Sequence, residues 1–257
     1  MPCIINLYKE RGETPKERLA RYRASHGLPA EARLTYLGRL DPLAEGVLLV
    51  GEGMDEASRA RYCGMDKEYE LSVLFGVATD TYDPLGLITE TVARAHPPRI
   101  NTHALLQEVV GLVGEREEPY PPYSSYRVMG KALFEWAREG KLNEIVIPTH
   151  KVEVYAAMCT KVGVKTGAEV LREVQDAVAR VRGDFRQEAI VSLWDREVGP
   201  LYNLHFPLVT LKLHVKAGAY LRAFAQRLGE KLGIPALAYH IVRTRVGRFY
   251  IEDAERT

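Results

Sequence analysis

The chain is 257 residues long, 46% hydrophobic and 27% charged, with a formal net charge of +1. This is the profile of an ordinary folded chain with room for one large domain, or for one plus a small appendage. No apolar run approaches the ~20 residues that cross a bilayer and MPCIINLYKERGE lacks a signal-peptide core, so no membrane is expected and the cytoplasm is the expected location.

The first helix is announced by Thr14-Pro15-Lys16-Glu17, a capping Thr, Pro at the first helical position and Glu at the third, with Gly27 closing the segment. Leu19, Tyr22 and His26 form its predicted inward stripe. A strand is predicted over 46–50, a helix over DEASRARYCG, and an alternating strand over KEYELSVLFGVATDT that stops at YDPLG. THALLQEVVGLVG reads as helix, EPYPPYSS as extended chain and KALFEWAREGK as helix. Residues 146–158 and 207–216 read as two strands. Between them TGAEVLREVQDAVARVRGDF carries Val170, Leu171, Val174, Val178 and Val181 at helical spacing, which predicts a helical excursion over about 163–205. YLRAFAQRLGEKLG is a last helix and YHIVRTRVGRFYI a last strand. Strands and helices outside strict βαβ order predict an α+β fold around a mixed sheet.

GRLDPLAEGVLLV, residues 38–50, sets Asp41 between a turn and an apolar run. Strands disfavour Asp, and Pro42 keeps Asp41 out of a helix. The carboxylate is therefore held at the lip of a sheet, as a nucleophile or as a turn residue. VLLVGEGMDEA looks like a dinucleotide-binding turn, but Glu56 stands where the third small residue belongs and would repel a phosphate. Cys3, Cys63 and Cys159 are widely spaced, and the seven histidines show no HxxxH or HxH pair, so neither a disulfide frame nor a metal site is expected. Asp80 and Asp83 in TDTYD read as turn and capping residues before they read as Mg²⁺ ligands. Ser124 and Ser125 lack the context of a nucleophile. From His205 to Thr257 nine Lys or Arg stand against four acids, which fits a polyanion-binding surface or solvated helix faces.

Four stretches occur in order: GRLDPLAEGVLLV, KEYELSVLFGVATDTYDPLG, PPYSSYRVMGKALFEWAREG and KAGAYLRAFAQRLGEKLG followed by RTRVGRF. Together they resemble the motifs of the TruB-type tRNA pseudouridine synthases over nearly the whole chain. The resemblance implies the pseudouridine-synthase fold, a central mixed and mainly antiparallel sheet with flanking helices and an active-site cleft. It implies a single catalytic domain over 1–257 with a helical insertion at about 163–205. It implies isomerisation of uridine to pseudouridine in RNA, at uridine 55 of the tRNA T-loop, with no cofactor, no metal, RNA as partner and a monomeric enzyme. Two alternatives stand beside it: a synthase for rRNA or another stem-loop, and a non-catalytic RNA-binding or RNA-folding protein.

By the resemblance Asp41 is the catalytic carboxylate, needed to attack or stabilise the sugar carbon or the base. Arg222 matches the arginine that pairs with it, keeping it ionised and aiming its oxygens. Tyr69 matches the tyrosine that stacks on a base flipped out of the RNA and assists proton removal. Tyr36, Arg39, Lys67, Tyr123, Lys131, Tyr220 and Arg243 are the expected substrate-binding and cleft residues, with Lys67 touching phosphate or supporting the site.

Departures from the pattern are also legible. Tyr36 stands where the family carries a histidine that wedges open the RNA loop, and Ala219 replaces a threonine beside Tyr220. Many bacterial members continue into a small PUA-type RNA-binding domain, and the expectation here is the catalytic domain alone. The helical insertion, with Lys161, Lys165, Arg172, Arg180, Arg182 and Arg186, is then expected to supply the missing RNA contact. Deleting it would weaken RNA binding and leave the chemistry intact.

Overall fold

The computed structural model describes residues 3–29, 31–93 and 95–256. Strand β1 (Cys3–Lys9) leads into helix α1 (Pro15–Ser25), which starts with the predicted capping box. The Glu17 N–H donates to Thr14 Oγ1 at 3.2 Å, and the Thr14 N–H donates to the Glu17 carboxylate at 2.7 Å. The inward face of α1 differs from the expected one. Tyr22 is buried and Leu19 half-buried, but His26 is exposed and Arg18 is sealed beneath the helix. Arg18 is tolerated there because its Nε donates to the Tyr8 carbonyl and its Nη2 to the Glu255 carbonyl.

Next come β2 (Leu34–Tyr36), β3 (Ala44–Glu52), α2 (Glu56–Cys63), β4 (Lys67–Phe75) and a ribbon of β5 (Val77–Thr79) with β6 (Ile88–Thr91). Helix α3 (Thr102–Val110), β7 (Gly114–Pro119), a ribbon of β8 (Arg127–Val128) with β9 (Lys131–Ala132), and α4 (Leu133–Arg138) precede the long β10 (Thr149–Thr166). Helices α5 (Gly167–Arg180) and α6 (Gln187–Val198) separate β10 from β11 (His205–Val215). Helix α7 (Leu221–Leu232), β12 (Ala236–Val246) and β13 (Phe249–Tyr250) follow. The excursion thus begins at Gly167 and not at 163. Strand β10 continues to Thr166 because β11 pairs with it up to Thr166↔His205, and that partner lies beyond any local sequence window.

Among the described residues nine strands form one sheet in the order β1-β3-β12-β4-β11-β10-β7, with β2 on β3 and β13 on β12. Each pairing is antiparallel apart from β3 with β12. This is the mixed, mainly antiparallel α+β architecture the sequence predicts. At the parallel contact Gly46 lies beside Arg243 with φ +106°, and a Cβ there would sit 2.3 Å from the Arg243 carbonyl oxygen. The glycine in LDPLAEG is thus required by backbone contact.

Alternation along the central strands makes two cores. Tyr69, Leu71, Val73 and Phe75 of β4, with Leu211, Leu213 and Val215 of β11, face α3 and α7 through Leu105, Val109, Phe224 and Leu228. Leu74, Phe206, Leu237 and Tyr239 face the other way and are covered by Val170, Val174 and Val178 of α5 and by Ile190 and Trp194 of α6. Burial of each such side chain is worth ~1.5–3 kcal/mol. The insertion therefore supplies the cover for one face of the sheet.

Candidate active site

Asp41 opens a β-turn in which the Ala44 N–H donates to the Asp41 carbonyl at 3.0 Å and Pro42 takes the first central position. The turn is tied to β1 by Lys9, whose Nζ donates to the Pro42 carbonyl at 3.1 Å and the Ala44 carbonyl at 2.6 Å. Lys9 is fully buried, and that burial lowers its pKa to about 8. Its part in holding the turn is not visible in the sequence, which leaves open whether Lys9 touches RNA.

Helix α7 brings Arg222 to the same place from 181 residues downstream: Arg222 Nε donates to Asp41 Oδ2 at 2.7 Å. The two partners differ in exposure, 5% for the Arg222 side chain against 42% for that of Asp41, so a buried brace holds an open carboxylate. Arg222 Nη1 donates to the Thr81 carbonyl (2.6 Å) and Nη2 to the Tyr123 carbonyl (3.2 Å). Asp83 lies 3.8 Å from Nε and is buried. Burial raises the Asp83 pKa against the pull of Arg222. Burial also works against the Arg222 charge, but Asp41 and Asp83 outweigh it and the pKa sits above the ordinary arginine value. Asp83 makes its turn bonds as well, accepting from Thr81 Oγ1 (2.7 Å) and the Leu85 N–H (3.0 Å). The sequence shows that turn role and misses its place beside Arg222.

Asp41, Thr81, Asp83, Tyr123 and Arg222 line a cleft of about 750 Å³. Tyr69 forms part of its floor, opposite Leu213 of β11 and Arg243 of β12 in register. Tyr36, Arg39, Lys67, Tyr123, Tyr220 and Arg243 also line it. Lys131 does not. It turns away onto Glu139 and over the Trp136 ring, 4.5 Å from its centroid. Lys67 is buried and donates to the Cys63 carbonyl at 3.0 Å and to the Met65 carbonyl, so it supports the site and is not presented to a phosphate. Its burial, with Arg243 as neighbour, lowers its pKa to about 8. Arg243 is 1% exposed, with Nε on the Val47 carbonyl (2.7 Å) and Nη1 on the Arg39 carbonyl (2.9 Å). Of the basic N-terminal residues, Lys16 lines the cleft, while Lys9 and Arg18 are sealed in the fold.

The structure also brings together groups the sequence does not associate with one another. Arg186, from the segment joining α5 and α6, and Asp80 and Tyr123 form one cluster beside the Arg222 anchors. Burial, then Asp80, pushes the Tyr123 pKa up to about 12. Lys165, expected on an RNA face, is paired with Glu173 instead. Tyr220 packs edge-on against Tyr120 and His150, with centroids 5.9 and 5.6 Å away. Among the described residues no group of three or more His, Cys, Asp or Glu side chains could hold a metal ion. No helix among them is long and apolar enough to cross a membrane.

An open carboxylate braced by a buried guanidinium over an aromatic floor sits on this sheet. A chain in a solved Cbf5–Nop10–Gar1 complex shares the fold, with a TM-score of 0.56 over 96% of this chain at 17% identity. The present chain spans about half of that chain, 49%. Residues 27–189 match the family model of the TruB family pseudouridylate synthase (N terminal domain), and the chain belongs to that family. It is 33% identical over 240 residues to tRNA pseudouridine synthase B of Thermus thermophilus, covering 90% of this chain and 71% of that protein. It is 28% identical over 254 residues to tRNA pseudouridine synthase B of Bacillus cereus, covering 98% and 68%.

Proposed function

We propose that the chain is an RNA pseudouridine synthase that isomerises uridine in the T-loop of tRNA, working as a monomer in the cytoplasm. The observation that carries this reading is the 2.7 Å contact of Arg222 with Asp41 at the floor of the cleft that Tyr69 lines. The tRNA pseudouridine synthases B among its relatives support tRNA as the substrate.

The chemistry asks little beyond these groups. The bond between the sugar carbon and the base nitrogen breaks, the uracil turns, and a carbon–carbon bond forms in its place. The proton on that base carbon leaves and the former glycosidic nitrogen gains one, so no atom and no electron is added or lost. Asp41, aimed by Arg222 and open to the cleft, stabilises or captures the electron-poor partner during the turn. Tyr69 offers a ring to the extruded base and a hydroxyl for the proton that leaves. The target must leave the RNA stack to reach Asp41, and Tyr36, which lines the cleft, is an aromatic that can fill the gap.

Unmodified tRNA transcript is incubated with the protein, without added metal or cofactor, and pseudouridine is mapped by carbodiimide-blocked primer extension. A stop in the T-loop is the expected result. Stops confined to rRNA would move the target, and no stop in any RNA would leave a binding protein. Asp41→Asn is expected to abolish product while RNA binding persists, because the amide keeps the shape without the nucleophile. Turnover retained in that variant would remove Asp41 from the chemistry.

A further inference from the structure

Arg186 belongs to the helical insertion, yet its side chain lies in the wall of the cleft. Its guanidinium makes a two-point contact with Asp80, Nη1 to Oδ2 at 2.7 Å and Nη2 to Oδ1 at 3.2 Å. Nη1 also donates to Tyr123 Oη at 2.9 Å, and the Tyr123 hydroxyl donates to Asp80 Oδ2 at 2.8 Å. The guanidinium carbon stands 4.8 Å from the centre of the Tyr123 ring. A two-point fork stacked on an aromatic ring is the geometry that distinguishes arginine from lysine. With both terminal nitrogens engaged, Arg186 is poorly placed to serve a phosphate.

The segment that carries it is built to hold this pose. Arg186 has φ +63°, a conformation that L side chains rarely adopt. Gln187 fixes the loop around it, donating through Nε2 to the Gly183 carbonyl (2.7 Å) and the Val181 carbonyl (3.1 Å) and accepting from the Phe185 N–H (3.0 Å). Arg138 of α4, which also lines the cleft, donates to the Asp184 carbonyl.

One residue that Arg186 clamps, and the neighbour of the other, are those on which Arg222 rests. Thr81, next to Asp80, supplies the carbonyl for Arg222 Nη1, and Tyr123 itself supplies the carbonyl for Nη2. Arg222 in turn aims Asp41. We propose that Arg186 is a positioning residue: the insertion reaches into the cleft to lock Asp80 and Tyr123 together, and so fixes Arg222 and the orientation of Asp41. This rests on the reading of the cleft as a pseudouridine synthase site. It reassigns Arg186 from an RNA contact to part of the support of the catalytic groups.

The test measures single-turnover tritium release from tRNA transcript labelled at the uracil carbon that loses its proton, together with tRNA Kd over a salt series. Arg186→Ala, Tyr123→Phe, the double variant and Arg196→Ala are compared. Arg196 is an exposed α6 arginine paired with its neighbour Glu197, so Arg196→Ala keeps the wild-type rate and Kd. Arg186→Ala is expected to slow turnover ~10- to 100-fold with Kd changed less than about twofold, because sub-ångström misplacement of a reacting group acts on rate. Tyr123→Phe slows it in the same direction, and the double variant is no slower than Arg186→Ala, since both remove one lock. A wild-type rate in Arg186→Ala overturns the proposal. So does a weaker Kd with a shallower salt dependence, the mark of a lost phosphate contact, or full additivity in the double variant. If Arg186→Ala melts below the assay temperature, Tyr123→Phe, which deletes one oxygen, carries the test alone. Wild-type protein that releases no tritium refutes the assigned function itself, an outcome separate from any of these.

Discussion

Lys9, Lys67, Arg222 and Arg243 are all buried, and each donates to backbone carbonyls of segments that frame the cleft. A cation taken out of water without partners costs several kcal/mol, and carbonyl oxygens offset that only while their geometry holds. These side chains consequently fasten the 41–44 turn, the start of β4 and the 79–83 turn to one another. For Lys67 the residual cost is open to measurement. Unfolded, its ammonium keeps its proton to the ordinary 10.5; folded, it lets go from about 8. Between those values the unfolded chain binds more protons, so raising the pH favours the folded state, whereas below about 8 the full cost of burying the charge is present. Wild type is therefore expected to gain stability over Lys67→Met by up to ~1.4 kcal/mol per pH unit between pH 8 and 10.5, about 3 kcal/mol in all. Urea unfolding of both proteins across that range reads the difference. A flat difference would mean that the folded lysine keeps its ordinary proton affinity.

Strand β10 and helix α5 meet at Thr166-Gly167, where local and distant demands conflict. Locally, Thr166 caps α5 by accepting from the Glu169 N–H at 3.2 Å, and Ala at the following position would favour the helix by ~1 kcal/mol over Gly. Across the base of the insertion, the Gly167 N–H donates to the Leu204 carbonyl (2.9 Å) and the Ala168 N–H to the Tyr202 carbonyl (3.0 Å). A Cβ on residue 167 would stand 2.2 Å from the Leu201 carbonyl oxygen and 2.8 Å from its carbon. Backbone cannot swing aside as a side chain does, so the clash outweighs the propensity. Gly167→Ala is expected to destabilise by ~1–3 kcal/mol in urea or thermal unfolding; a gain in stability would show that the 199–204 turn yields. The helical valines of α5 are legible because their spacing is local. The contact that dictates Gly167, the extent of β10 and the burial of Arg18 are not, since each is decided by residues brought in from elsewhere in the chain. The same holds in the site. Asp41, Tyr69 and Arg222 are recognisable as motif members, but Asp83 beside Arg222 and the Arg186 clamp become visible only when separate segments fold together.

Seen as one body, the sheet carries α7 on one face and the insertion helices on the other, with the insertion's 184–186 segment reaching the cleft, and this changes what removing the insertion would do. On sequence grounds the insertion is a separable RNA-binding arm. In the fold, Val170, Val174, Val178, Ile190 and Trp194 cover Leu74, Val77, Phe206, Leu237 and Tyr239 of the body. At ~1.5–3 kcal/mol for each large apolar side chain returned to water, baring those five costs about 10 kcal/mol, which is the scale of the whole folding free energy of an ordinary domain. The insertion also ties itself to the body through Tyr239 Oη, which donates to Glu173 at 2.9 Å, and through Arg186 on Asp80. Replacing residues 167–204 with a short Gly-Ser linker is accordingly expected to give a chain with no cooperative thermal transition and no pseudouridine formation, and not a folded enzyme with weakened tRNA binding. Circular dichroism melts and the tritium-release assay on the same preparation distinguish the two. A cooperative melt with turnover kept on a short T-stem-loop would return the insertion to the role of a detachable arm, and would show that the face beneath it can meet water without loss of the fold.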